Sequence, residues 1–214
     1  MNAVNTRFIE SDAAEIVAFA HAVAGSASDD IGRAMLLYEA VRDGIAYDPY
    51  DTLDDPASVS ARRALTRKRG YCIPKAGLLA AGARALGIPS RLGFADVRNH
   101  LASRRLLEAN GSDVFRWHAY TELYLAGKWV KATPAFDAEL CARAGIEPLH
   151  FDGRNDSVFH AYDRQNRKHM EYVLDRGRFA DVPFELVVAT WRQHSPKLFS
   201  AFTGTTAGSF KDEI

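Results

Sequence analysis

A cysteine at the mouth of a helix and a histidine at the start of a strand, far apart in sequence, constrain this chain more than any other feature. The cysteine lies in Arg69-Gly70-Tyr71-Cys72-Ile73-Pro74-Lys75-Ala76, followed by the apolar run Gly77-Leu78-Leu79-Ala80-Ala81. Pro74 is tolerated in a first helical turn and Gly87 closes the element, so a helix is predicted from about Pro74 to Ala85. Its alanines and glycines let neighbours pack close, which suits a central helix under a sheet. The histidine lies in Trp117-His118-Ala119-Tyr120-Thr121-Glu122-Leu123-Tyr124-Leu125. That segment and Lys128-Trp129-Val130-Lys131-Ala132-Thr133, joined by the tight turn Ala126-Gly127, read as a hairpin over about 117–125 and 128–133. A thiol near a helix N-terminus feels the positive end of the macrodipole, which favours thiolate. An imidazole folded beside it would lower the thiol pKa further and could later protonate a leaving group. The two contexts suggest a Cys-His nucleophilic site, although spacing alone does not establish one.

At these residues the chain resembles the transglutaminase-like superfamily, whose members use a papain-like Cys-His-Asp arrangement. Gly70-Tyr71-Cys72 looks like that family's nucleophile segment, and Leu86-Gly87-Ile88-Pro89-Ser90-Arg91-Leu92-Gly93 like the strand after its nucleophile helix. His118-Ala119-Tyr120 with Gly127-Lys128-Trp129-Val130 looks like its histidine hairpin. Leu37-Tyr38-Glu39-Ala40-Val41 to Ile45-Ala46-Tyr47-Asp48 resembles the helix and Tyr-Asp turn leading into the core. The resemblance covers about residues 31 to 137, half the chain. It implies an α+β fold, with N-terminal helices and the Cys72 helix packed on a mainly antiparallel sheet that carries His118. One position departs from the pattern. The family usually places an aspartate before the proline that ends the hairpin; here Thr133 precedes Pro134. A threonine hydroxyl can accept a hydrogen bond from the imidazole but brings no negative charge to stabilise an imidazolium. Asp137 could fold back to fill the role, since Pro134 favours a turn. Cys72, His118, Thr133 and Asp137 are therefore the candidate catalytic residues.

The 214 residues are 47% hydrophobic and 11% aromatic, enough to bury a substantial core in one domain over 1–214, with a C-terminal extension over 138–214. With 27 basic against 27 acidic residues, nothing suggests an extended nucleic-acid or anionic-membrane surface. No apolar run approaches the ~18 residues needed to span a bilayer. Met1 to Glu10 lack a cationic segment followed by an apolar stretch, so no secretory signal is expected. Two cysteines, Cys72 and Cys141, form no disulfide framework, and a reduced cytoplasm is the expected compartment.

Along the chain, Ser11 is read as the cap of an amphipathic helix over 11–24, and a second helix is predicted from after Ser28 to near Gly44. Tyr47 to Pro56 reads as an acidic loop, and Ser60 to Arg69 as a short basic helix whose cluster of charges is a solvated face. A strand is expected over Arg91 to Val97, then a polar, mobile rim loop from Arg98 to Ser112. Leu140 to Gly145 reads as a helical turn and Met170 to Leu174 as a strand. Asp175-Arg176-Gly177 reads as a turn, Val182 to Arg192 as a helix or buried strand, and Thr203 to Ile214 as a frayed tail.

The other histidines show no i,i+4 pairing and no neighbouring cysteine pair, so no metal site is expected, and the chemistry implies no organic cofactor. Glu122 is too far along its strand from His118 to bond to it and is read as structural. The resemblance implies acyl transfer from an amide or ester through a thioester on Cys72. His118 would be base and then acid, with Thr133 or Asp137 orienting it. Peptides, proteins or small amides and esters are the expected substrates; water or an amine could take the acyl group, and intramolecular cyclisation is a third course. The alternative is a binding module that keeps the cleft but has lost turnover, a reading that rests on Thr133. Oligomeric state is not legible in the sequence.

Overall fold

A computed structural model describes residues 5–198 apart from 26, 52, 161 and 164; the tail from Thr203 to Ile214 lies outside the described residues. Two helices come first, α1 (Ala14–Ala24) and α2 (Asp30–Gly44), then the short strand β1 (Ala46–Tyr47). A 3₁₀ turn (Pro56–Val59), helix α3 (Ala61–Arg67) and strand β2 (Arg69–Gly70) lead into α4 (Cys72–Ala85). Strand β3 (Ser90–Asn99), helix α5 (Arg104–Asn110) and the hairpin β4 (Val114–Leu125) and β5 (Lys128–Ala132) follow. Helix α6 (Ala138–Ala144), strand β6 (Met170–Phe179) and helix α7 (Phe184–His194) complete the order. The main sheet runs β5-β4-β3-β6, antiparallel throughout, while β1 and β2 pair parallel in front of α4. The architecture is α+β, with helices and an antiparallel sheet around one hydrophobic core.

Helix α4 is the centre of that core. Every residue from Ile73 to Arg84 is buried, and the helix packs against α1, α2, α3 and β4. Small side chains make this possible: a Cβ on Gly82 would lie 3.2 Å from Leu37 on α2, and one on Gly77 would lie 3.6 Å from Ile9. Gly87, with φ +81°, ends the helix, and the Ile88 N–H reaches back to the Ala83 carbonyl at 2.9 Å. On the opposite side the Thr121 hydroxyl of β4 donates to the Ala76 carbonyl at 2.8 Å, tying helix to sheet.

Lys75 lies one turn into α4 and is fully buried. Its ammonium donates to the Arg42 carbonyl at 2.9 Å and to the Ile45 carbonyl. Both belong to the C-terminal end of α2, where orphan carbonyls and the negative end of the helix dipole await a cation. A buried lysine thus caps one helix while it anchors another.

Several local expectations shift. The first helix starts at Ala14, and its N-cap is Ala13 without a side-chain cap, so Ser11 does not play that part. Asp29 is the N-cap of α2, accepting from Gly32 N–H at 2.7 Å. The nucleophile helix starts at Cys72, two residues earlier than expected. The presumed rim loop is mostly ordered structure: β3 continues to Asn99, and α5 is capped by Ser103 and closed by Gly111 in the left-handed region. Asp175-Arg176-Gly177 does not reverse the chain. It is a bulge within β6, with Gly177 at φ +96° and its N–H bonded to Asp175 Oδ1 at 2.8 Å. The basic helix finds acids nearby: Arg63 meets Asp51 and Asp55, Arg67 meets Asp51, and Arg69 meets Asp48. Among the described residues no helix is long and apolar enough to cross a membrane.

Replacing Lys75 with methionine keeps most of the volume but strands two carbonyls. Lys75→Met should lower the unfolding free energy by about 2–4 kcal/mol in urea titration, since unpaired buried acceptors carry their full desolvation penalty. A variant as stable as wild type would show that the tether contributes nothing net.

Candidate active site

Cys72 is the first residue of α4, so its side chain sits where the helix N–H groups have no intrahelical acceptor. The strand pair β1–β2 delivers the chain to this point: Gly70 pairs with Tyr47, and Tyr71 is the extended residue before the helix. The sulfur also interacts with the N–H of Ala119, the residue after His118, which brings the helix mouth against the histidine strand. Cys72 and His118 line one cavity of about 110 Å³, without a direct hydrogen bond between them.

The aim of His118 depends on the residue before it. Trp117 has φ +63°, a left-handed conformation that costs a bulky side chain on the order of 1–3 kcal/mol. It falls where the β3–β4 register shifts between Ala95 and Val97, so the strand carries a bulge immediately ahead of the histidine. Asp96 holds this conformation in place. Its Oδ1 accepts the Trp117 N–H at 3.1 Å, and its carboxylate takes Nε and Nη2 of Arg176 on β6 at 2.5 and 2.8 Å. The Arg176 guanidinium in turn lies 4.8 Å from the Trp117 ring centre. Phe94 and Phe179 wall the other sides of that ring.

The walls around the imidazole are aromatic. Phe159 lies 4.7 Å from the His118 ring centre, and Phe136 lies 4.9 Å from Phe159. The Tyr172 ring centre is 6.3 Å from that of His118. Phe159, Met170, Trp191 and Leu198 line the cavity and all come from the C-terminal extension. These isolated aromatics and aliphatics carry no periodic signal, so sequence reasoning had no means of assigning them to the site.

Burial governs the charges. It pushes the Cys72 thiol up to about 11, against the opposing pull of the N–H groups of Ala119, Ile73 and Cys72 itself. It pushes His118 down to about 3, and no other group contributes. The helix dipole and the imidazole were expected to favour thiolate; the apolar surroundings oppose them and shift both groups toward their neutral forms.

The third position differs from expectation as well. Asp137 does not bond to His118: its carboxylate accepts the Leu140 N–H at 2.9 Å as the N-cap of α6 and the Tyr47 N–H at 2.9 Å. Thr133 is 1% exposed, and its hydroxyl faces the Tyr172 hydroxyl and makes no hydrogen bond to His118. Its carbonyl accepts from the Tyr38 hydroxyl at 3.1 Å. His118 Nε2 is buried with no hydrogen-bond partner among the described residues. Glu122 is structural, bridging Arg91 and Arg178 at 2.6 and 2.9 Å. Cys141 is buried in α6, away from this cavity.

A histidine held neutral by the fold makes stability sensitive to acid. Because its pKa falls from 6.5 to about 3, its contribution is complete above pH 6.5 and is lost as pH drops toward 3. By pH 5 the loss should be about 2 kcal/mol, and His118→Phe should not suffer it. Urea unfolding of both proteins at pH 7 and pH 5 measures the difference. Equal losses in the two proteins would mean that His118 titrates normally in the fold.

Comparison with known proteins gives two kinds of match. Among solved structures, a candidate cysteine protease of Cytophaga hutchinsonii aligns at 22% identity with a TM-score of 0.48, over 62% of this chain and 40% of that one. A candidate protease of Parabacteroides distasonis aligns at 16% identity with a TM-score of 0.42, over 56% of this chain and 23% of that one. This chain thus spans less than half of either protein. No match is found among curated proteins. The family model of the transglutaminase-like superfamily matches residues 17–134, which take in α2, the Cys72 helix and the whole His118 hairpin. The chain belongs to the transglutaminase-like superfamily.

Proposed function

We propose that the protein transfers acyl groups from amides or esters through a thioester on Cys72. The observation that carries this reading is the thiol at the first turn of α4, against the Ala119 N–H and in the same aromatic cavity as His118. As a carbonyl carbon approaches, the thiol proton passes to the imidazole, the sulfur–carbon bond forms, and the oxygen takes the negative charge. First-turn N–H groups of α4 would serve as donors to that oxyanion. The imidazolium then protonates the departing amine or alcohol. Water or an amine attacks the thioester, loses its proton to the imidazole, and the sulfur recovers it as the acyl product leaves. Aromatic walls suit an organic acceptor, and both water and an amine fit this sequence of steps.

A second reading has its own observation. His118 Nε2 has no hydrogen-bond partner among the described residues, and neither Thr133 nor Asp137 supplies the charge that the family's aspartate brings. A binding module with a dormant thiol fits that arrangement.

p-Nitrophenyl acetate, followed by intact mass and peptide mapping, separates the two readings. On the enzyme reading Cys72 gains one acetyl group, Cys72→Ser loses that adduct, and His118→Ala slows its formation by about a hundredfold or more. Hydroxylamine or a primary amine added afterwards should discharge it. No acetylation of Cys72, or a rate indifferent to His118→Ala, would leave the binding module as the better account.

A further inference from the structure

The cavity that holds Cys72 and His118 has a single charged side chain with no assigned task. Arg116, two residues before His118 on β4, lines that cavity, and among the described residues no aspartate or glutamate lines it. Among the described residues its buried Nη1 has no hydrogen-bond partner and its guanidinium makes no ion pair. The residue's backbone is held in place, since Trp191 Nε1 donates to the Arg116 carbonyl at 2.9 Å. The neighbouring arginines behave differently: Arg91, Arg98, Arg176 and Arg178 each meet a carboxylate. Arg116 alone of these keeps its donors unspent, and it does so where a ligand would sit.

A buried guanidinium nitrogen without a protein acceptor carries a desolvation penalty that an acceptor brought by a ligand relieves. The planar fork of donors matches a carboxylate better than a neutral carbonyl, because both oxygens can be engaged and the charges oppose. We propose that Arg116 is the specificity residue of this site, binding a carboxylate on the acyl substrate. The preferred substrates are then amides or esters that carry a free carboxylate close to the acyl group. This rests on the thioester reading for the word substrate, but the carboxylate site itself does not.

Two alkylating reagents of similar size test it on the full chain. Iodoacetate carries a carboxylate and iodoacetamide does not, so the ratio of their rates at Cys72, divided by the same ratio for N-acetylcysteine, reports recruitment of the anion. At pH 7 and fixed ionic strength wild type should favour iodoacetate by about tenfold over the free thiol, as one charge-assisted hydrogen bond provides. Arg116→Gln should bring the ratio to that of the free thiol, and Arg116→Lys should keep part of the preference. The same ratio in wild type and Arg116→Gln would overturn the proposal while leaving the thioester reading intact. Should Cys72 react with neither reagent, the thioester reading is what fails. The carboxylate site is then decided by titrating succinate and its diamide against the fluorescence of Trp117 and Trp191, which line the cavity. Saturable binding of succinate alone, lost in Arg116→Gln, supports the site; no binding, or binding indifferent to Arg116, overturns it.

Discussion

Full enclosure of α4 is the constraint on which the rest depends. A helix surrounded by α1, α2, α3 and β4 can present only small or apolar side chains, except where a polar one is completely satisfied. Two long polar residues meet that condition and work as tethers. Lys75 fastens the N-terminal half to the last carbonyls of α2. Arg84 fastens the C-terminal half, through Nη2, to the carbonyls of Ser90 and Ala180 at 3.1 and 2.6 Å. Cys72, one turn before Lys75, takes its position from this packing, and its sulfur then meets the Ala119 N–H of β4.

His118 is placed by the opposite strategy. Cys72 follows from relaxed geometry, a helix starting where its sequence allows. The histidine follows from a strained residue, Trp117 at φ +63°, and from the Asp96–Arg176 pair that holds it. Those two partners come from β3 and β6, so the aim of the histidine depends on a strand that lies beyond the segment matching the family model. The C-terminal extension is therefore part of the site twice over, as the source of Arg176 and as the source of the aromatic wall.

What was legible in the sequence follows the same division. The helix at Cys72 and the hairpin at His118 announce themselves through proline, glycine and alternation, all local signals. The family resemblance rests on these signals, and the matched segment contains them. Helix α5 also had local signals, with Ser103 and Gly111 at its ends, yet the polarity of Arg98 to Ser112 suggested a loop. Asp137 had the form of an N-cap three residues before Leu140, and it serves as one. The β6 bulge could not be read from Asp175-Arg176-Gly177 alone. Those residues favour a turn, and only pairing with β3 decides that the strand continues. The left-handed Trp117 had no signal either, because strain of this kind is imposed by partners distant in sequence.

The resting charge state and the missing acid belong together. In the family pattern an aspartate beside the histidine lets an imidazolium exist before any substrate arrives. Thr133 offers no such charge, and burial is the only influence acting on His118. An imidazolium formed here has two possible counter-charges: the thiolate created in the same proton transfer, and an anion carried in by a ligand. Burial penalises each isolated charge but strengthens the attraction between opposite charges. On the proposed thioester reading, the site would keep the proton on sulfur until a reacting carbonyl is in place, then move it in concert with bond formation. If Arg116 does hold a substrate carboxylate, the same ligand that presents the carbonyl also displaces water and seals the cavity. Selectivity and activation would then arise from a single binding event.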